Sequence, residues 1–236
     1  MQTRHDTDSS FRGHDQSARE LFRKLSPAAQ LDLESMGHTS SYLDHHVLFS
    51  EKEPAHGVFV VIDGEVKLSV NSTDGRRLSL NIARKSEILG LTSVFSGSCY
   101  EMTAETLHPS KIAFISQSKF FSFLSLHPEA AQPLMAELGR QYSTACEQLR
   151  TLGLSSSTPE KLARLLLDWS ETGQTTEAGT RFRFSLTHEE IGEFIGASRE
   201  TVTRTLSVFK SRRLVTFKGS TLTILSKTAL ANYARC

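Results

Sequence analysis

"THEEIGEFIGASRETVTRTL", residues 187–206, decides how the rest of the chain is read. Thr187 and Glu190 make a T-x-x-E capping box, so a helix is expected from about His188. Ile191 and Ile195 lie on its inner face, and Gly196 ends it, because glycine accepts the left-handed backbone that a helix stop requires. Ser198 caps a second helix whose Val202, Leu206 and Phe209 face inward. Gly192 lets the two helices approach closely. The pattern predicts a helix-turn-helix, two helices crossing steeply over a short turn.

Such a turn presents the first turns of the second helix outward. Those turns carry Arg199, Glu200, Thr201, Thr203 and Arg204, just after the cap Ser198. Arginine can make two parallel hydrogen bonds to guanine, glutamate can accept from cytosine N4, and threonine can touch a base edge or a thymine methyl. Charge around this helix is lopsided. Between Arg199 and Lys227, the cations Arg199, Arg204, Lys210, Arg212, Arg213, Lys218 and Lys227 face the single acid Glu200. The formal net charge of the whole chain is only +1, so this footprint for phosphates is local. "RLVTFKGSTLTIL", residues 213–225, reads as two strands around a Lys218-Gly219-Ser220 turn, and "RFRFSL", residues 181–186, as another strand. "ETGQTTEAGT", residues 171–180, reads as a loop. Strand, helix pair and hairpin together predict a winged helix-turn-helix that binds double-stranded DNA, with Lys218 at the wing.

Upstream the texture changes. Residues 1–18 hold few apolar anchors and are expected to be a disordered tail, with a short helix from about Ala18 to Leu25. Ser26-Pro27 opens a second helix that runs to about Met36. From Ser40 to about Ile115 come short β-rich runs, "GVFVVIDGEVKLSV", "RRLSLNIA" and "KIAFIS", with turn signals at Asp63-Gly64, Asp74-Gly75, Gly90, Gly97 and Pro109. They predict an antiparallel sandwich or small barrel.

A long helix is expected from about Pro128 to Leu152. Its apolar residues Leu134, Leu138, Tyr142, Ala145, Leu149 and Leu152 form a narrow seam suited to a partner helix, while Ala130 and Met135, off the seam, leave room for packing on its own barrel. "LSSSTPEKL", residues 154–162, reads as a hinge, with Thr158 capping the next helix and Leu162, Leu165, Leu166 and Trp169 forming its buried face.

No apolar run approaches the roughly 18 residues of a membrane span, and the polar start carries no signal peptide. Three scattered cysteines, Cys99, Cys146 and Cys236, argue against a disulfide framework. A cytoplasmic protein is the simplest reading.

"LTHEEIGEFIGASRETVTRTL" closely resembles the DNA-binding motif of the cyclic-AMP receptor protein and fumarate-nitrate regulator (CRP/FNR) superfamily of bacterial transcription factors. "LFSEKEPAHGVFVVIDGEVKL" and "SEILGLTSVFSGSCYEMTAETL" resemble its β-roll. The resemblance implies an α+β chain: an N-terminal cyclic-nucleotide-binding-like β-roll (jelly roll) over 19–127, a dimerisation helix over 128–155 and a winged helix-turn-helix over 156–236. It implies a homodimer that reads a palindrome of TGTGA-like half-sites through Arg199, Glu200 and Arg204, half-sites about one helical turn (roughly 34 Å) apart. RNA polymerase is a further candidate partner.

Against that family's nucleotide pocket the fit is poor. Gly90 is kept, but Leu91 stands where a ribose-binding glutamate is usual. Tyr100-Glu101 occupy the place of an arginine-serine pair, and Cys146-Glu147 that of a threonine-serine pair on the long helix. Burying a cyclic phosphate beside a carboxylate and without an arginine is heavily penalised, which argues against cyclic AMP as the ligand. No cysteine precedes Cys99, so the N-terminal cysteine cluster of an iron–sulfur sensor is missing and no such cluster is expected. No metal site is expected either. The rival classes are a metal-dependent cupin-like enzyme, which would need His45, His46, His56 and His108 to converge with a carboxylate, and a ligand-free interaction module. Cys99 and Cys146 are read as ordinary thiols, a redox role depending on exposure that sequence hides.

Overall fold

A computed structural model describes residues 25–154 and 157–234. The expected tail, most of the helix expected from Ala18, and hinge residues Ser155 and Ser156 lie outside the described residues.

Helix α1 (Pro27–Met36) opens as expected, its cap Ser26 accepting from the amide of Ala29. Eight short strands follow: β1 (His38–Tyr42), β2 (Val47–Phe49), β3 (Gly57–Asp63), β4 (Val66–Asn71), β5 (Arg77–Ala83), β6 (Ile88–Leu89), β7 (Thr103–Thr106) and β8 (Ser110–Ser116). They pair into two antiparallel four-stranded sheets, ordered β1-β8-β3-β6 and β2-β7-β4-β5. The turn at Asp63-Gly64 requires its glycine, because φ is 100° and a Cβ would stand 2.1 Å from Ser110 Oγ. Phe49, Phe59, Val61, Leu68, Tyr100 and Ile112 fill the space between the sheets. A second cluster, with Val58, Val60, Phe120, Phe123 and Leu134, glues the outer face of the first sheet to α1, α3 (Gln117–Leu126) and the start of α4 (Ala131–Leu154).

Helix α4 is about 36 Å long at 1.5 Å per residue, and its expected seam is divided. Leu134 is buried and Leu138 half-buried against the chain's own β-roll, so neither belongs to an exposed seam. Tyr142 and Leu149 are 73% and 69% exposed, and Met135, left off the seam by the sequence reading, is 70% exposed. At about 100° per residue, Leu134 and Leu152 share one bearing while Leu149, Tyr142 and Met135 lie roughly 60–100° round the helix. Their spacing of seven residues is that of a heptad seam.

The C-terminal unit begins with α5 (Thr158–Trp169). Its cap is Ser157, which accepts from the Glu160 amide at 3.4 Å; Thr158, expected as the cap, is the first helical residue instead. Strands β9 (Gln174–Thr176), β10 (Gly179–Arg183), β11 (Val215–Lys218) and β12 (Thr221–Ile224) form one sheet in the order β11-β12-β10-β9. The expected loop at 171–180 thus holds an edge strand, invisible in sequence because all three residues of β9 are exposed and polar. Two short helices also went unforeseen, α2 (Leu91–Ser96) and α8 (Lys227–Tyr233). The helix pair is α6 (His188–Ile195) and α7 (Arg199–Ser211). Both halves of the capping box are made, and Gly196 adopts φ 62°. A Cβ on Gly192 would stand 2.4 Å from the Ala197 carbonyl oxygen, so the tight turn depends on that glycine.

Ile82 and Leu107 of the β-roll are buried in the same cluster as Ile191, Phe194 and Leu206, so the two units share apolar surface. Beside it Lys67, 2% exposed, sits 3.0 Å from Glu193 Oε2 and 3.8 Å from Glu190 Oε1, and Ser79 Oγ donates to the same Glu193 oxygen at 2.8 Å. Removing one partner of a buried pair strands the other charge. Lys67→Ala is therefore expected to lower stability by about 3–5 kcal/mol, and a Lys67→Met/Glu193→Leu double variant to recover most of that loss, both read from urea unfolding midpoints.

Candidate nucleic-acid interface and ligand pocket

Helix α7 buries Val202, Thr205, Leu206 and Phe209 and leaves Ser198, Arg199, Glu200, Thr203 and Arg204 exposed. Five of the six residues that the sequence singled out on this helix and its cap are thus exposed, Thr201 being the exception. Ser198 Oγ takes the Thr201 amide at 3.3 Å, fixing the start of the helix. Thr201 is half-buried, its hydroxyl 3.1 Å from Ser198 Oγ and accepting from Arg204 Nη2 at 3.3 Å, so it steadies Arg204 from within the helix. Glu200 is held below the usual carboxylate range by its own backbone N–H and by Ser198, then by Arg199 and Arg204, and it remains an acceptor at neutral pH. Lys218 is exposed in the wing. Lys210 lies 4.5 Å over the Phe217 ring, tying α7 to the wing strand β11.

One residue of this face was missed. His188 Nδ1 lies 2.8 Å from Thr203 Oγ1, a contact made by the helix crossing between residues fifteen apart. Its position directly after the cap Thr187 was the available signal.

Behind α2 the β-roll opens into a cavity of about 680 Å³ counted out to its open mouth. Gly90, Leu91, Tyr100 and Glu101 line it, as expected. Tyr100 donates to the Gly57 carbonyl at 2.7 Å and stacks on Phe49 at 4.0 Å, so it is a fixed wall. Gly90, at φ 78°, leaves room for it, a Cβ there falling 2.8 Å from the Tyr100 ring. Glu101 accepts from Ser93 Oγ at 2.9 Å. The long helix contributes Gln141, Thr144 and Ala145, and not the expected Cys146-Glu147. Those two lie one and two residues further round the helix. Glu147 is half-buried, and its charge, after desolvation and Glu171, helps hold the Asp168 carboxyl of α5 above the usual carboxylate range. Ala145, expected in the dimer seam, stands exposed at the cavity mouth.

The charged side chains lining the cavity are two carboxylates, Glu87 and Glu101. Leu80 and Asn81 of β5 line it too, and here the strand is bulged. Leu68 pairs with Asn81 and Ser69 with Ser79, leaving Leu80 as the extra residue. Gln148 of α4 donates to the freed Leu80 carbonyl at 3.0 Å. One stretch of β5 thus touches the cavity, the long helix and, through Ser79 and Ile82, the helix-turn-helix.

The histidines that an enzyme would need are not gathered. His45 Nδ1 meets Glu105 at 3.1 Å, and His108 Nε2 meets Ser185 at 2.7 Å. Among the described residues no three His, Cys, Asp or Glu side chains are grouped to hold a metal. Cys99 is exposed and Cys146 half-buried, both free thiols, and Cys236 lies outside the described residues. Among those residues no helix is long and apolar enough to cross a membrane.

Burial pushes Glu87 up to about 7, outweighing the Arg84 amide that it accepts from. A carboxyl raised on folding favours the folded state at low pH, and that gain is lost as pH rises through the folded value. Relative to wild type, Glu87→Gln is expected to gain about 1–3 kcal/mol of stability as pH goes from 5 to 8, read by thermal unfolding across that range.

Comparison with known proteins agrees with this architecture. A cyclic nucleotide-binding domain model matches residues 39–127, and a Crp-like helix-turn-helix domain model matches residues 160–233. The CRP-like cAMP-activated global transcriptional regulator of Mycobacterium tuberculosis is 28% identical over 216 residues, 91% of this chain and 96% of the relative. The solved structure of FixK2 from Bradyrhizobium japonicum, 22% identical, superposes with a TM-score of 0.74 over 84% of this chain and 96% of its own. The c-di-GMP responsive global regulator CLP of Xanthomonas campestris, also 22% identical, gives 0.72 over 85% and 100%. With the β-roll, the long helix and the winged helix-turn-helix matched in order, the chain belongs to the CRP/FNR family of DNA-binding transcription regulators, a family of regulators and not of enzymes.

Proposed function

We propose that the protein is a cytoplasmic homodimer that reads a palindrome of TGTGA-like half-sites and answers to a ligand other than cyclic AMP. The observation that carries the DNA reading is the exposed set Arg199, Glu200 and Arg204 on a helix anchored by four buried residues. Two arginines and a glutamate suit the two guanines of such a half-site and a cytosine paired with one of them. Pairing of two chains is supported by the stripe of Met135, Tyr142 and Leu149, whose apolar side chains are left to water in one chain. A parallel pair of α4 helices would cover them and carry one reading helix to each of two successive major grooves.

The ligand reading rests on charge. A cyclic phosphate entering this cavity would exchange water for apolar wall, the Glu101 carboxylate and the Glu87 carboxyl, with no lysine or arginine among the lining residues to meet it. A ligand that presses on Leu80 would move β5, and β5 carries Ser79 and Ile82 against the DNA-binding unit. In this reading the bulged strand links the cavity to the spacing of the reading helices, and RNA polymerase is the partner that a correctly seated dimer recruits or blocks.

Arg204→Ala tests the reading helix. It is expected to weaken binding to the preferred palindrome by about 1–3 kcal/mol and to relax preference at one base position, as measured by fluorescence anisotropy with competitor DNA. Equal affinity of variant and wild type would refute the role given to this helix.

A further inference from the structure

Thr203 has one hydroxyl proton, and its Oγ1 donates it to the Arg199 carbonyl at 2.9 Å. The 2.8 Å contact between His188 Nδ1 and the same oxygen must then be donated by the ring. Neutral His188 is therefore the Nδ1–H tautomer, and its Nε2 carries a lone pair. In a helix-turn-helix the first helix crosses the DNA backbone while the second enters the groove. His188 is the first residue of that first helix, half-buried and joined to the outer face of the reading helix through Thr203. A lone pair facing a phosphate is repelled, whereas a protonated Nε2 donates a charge-assisted hydrogen bond.

We propose that His188 is a proton-linked DNA contact: its Nδ1–H holds Thr203 in place, and its Nε2 takes up a proton when it meets a backbone phosphate. The inference rests on the DNA-binding reading above. Operator binding then draws one proton per subunit from solution, and the affinity of this regulator depends on pH.

The surroundings agree with an uncharged ring in the free protein. Partial burial holds His188 below the ordinary histidine value, and the α7 cations Lys210 and Arg199 lower it further. Of the other charged groups, Glu190 accepts from Thr187 at 2.8 Å and, with Glu193, faces Lys67 of β4 on the inner side of α6. Glu189 is its exposed neighbour in sequence. A phosphate placed at Nε2 opposes the two cations and raises the ring's pKa. Affinity therefore climbs as pH falls through the raised value of the complex, and levels off below the lowered value of the free protein.

The experiment is an anisotropy titration of an operator selected from a random DNA pool, at constant salt from pH 8 to pH 6, with wild type, His188→Gln and His188→Arg. Wild type is expected to tighten roughly tenfold for each subunit that takes up a proton, H188Q to lose that part of the slope, and H188R to bind tightly throughout. A slope unchanged in H188Q, with specific binding intact, would overturn the inference alone. If no variant shows competitor-resistant binding at any pH, the DNA reading fails and the inference goes with it. A merely structural histidine would leave the pH profile of the H188R variant parallel to that of wild type.

Discussion

The buried contact of Lys67 with Glu193 and Glu190 is the constraint on which the arrangement of the two units depends. A lysine 2% exposed is tolerable only with its charge met, and here both carboxylates come from α6, the first helix of the helix-turn-helix. The same helix holds the capping box that starts it, with Glu190 serving both the cap and the ion pair. Ser79 adds a hydrogen bond to Glu193, and Ile82 and Leu107 add apolar burial. The angle at which the reading helix is presented is therefore set by strands of the β-roll, not by the interdomain segment alone.

That placement gives β5 an unusual position. Its bulge at Leu80 interrupts the pairing with β4 where the strand passes from the cavity to the α6 contact, and the orphaned carbonyl is satisfied by Gln148 of the long helix. A bulge costs ladder hydrogen bonds but lets neighbouring side chains on one strand serve two neighbours. At the cavity Gly90 makes room for Tyr100, and among the described residues the lining holds no lysine or arginine. Tyr100 and Glu101 occupy the wall, and Glu87, driven up to about 7 by burial, adds a second carboxyl.

Much of this was legible in the sequence because it is local. The T-x-x-E box, Gly192, Gly196 and Ser198 specify the helix-turn-helix through backbone chemistry confined to a dozen residues, and all four behave as their types demand. The turn glycines of the β-roll were equally readable. What stayed hidden was set by distant neighbours. The seam on α4 looked like one stripe because periodicity cannot tell which part of a stripe the chain's own β-roll covers. Leu134 and Leu138 went inward, and Met135 joined Tyr142 and Leu149 outside. The cavity-facing residues of α4 were displaced from Cys146-Glu147 to Gln141, Thr144 and Ala145 for a related reason, since one residue turns a side chain by about 100°. Strand β9 carries no apolar signal at all, and His188 acquires meaning only through a contact made across the helix crossing.

The central proposal joins an exposed reading helix to a cavity whose described lining residues offer no cation to a cyclic phosphate. It is tested most directly by titrating a labelled TGTGA-type palindrome with the purified protein, with and without saturating cyclic AMP, in the presence of competitor DNA. The account predicts competitor-resistant binding that cyclic AMP leaves unchanged. Binding that appears only when cyclic AMP is added would contradict it, and would mean that a cation from outside the cavity lining reaches the phosphate.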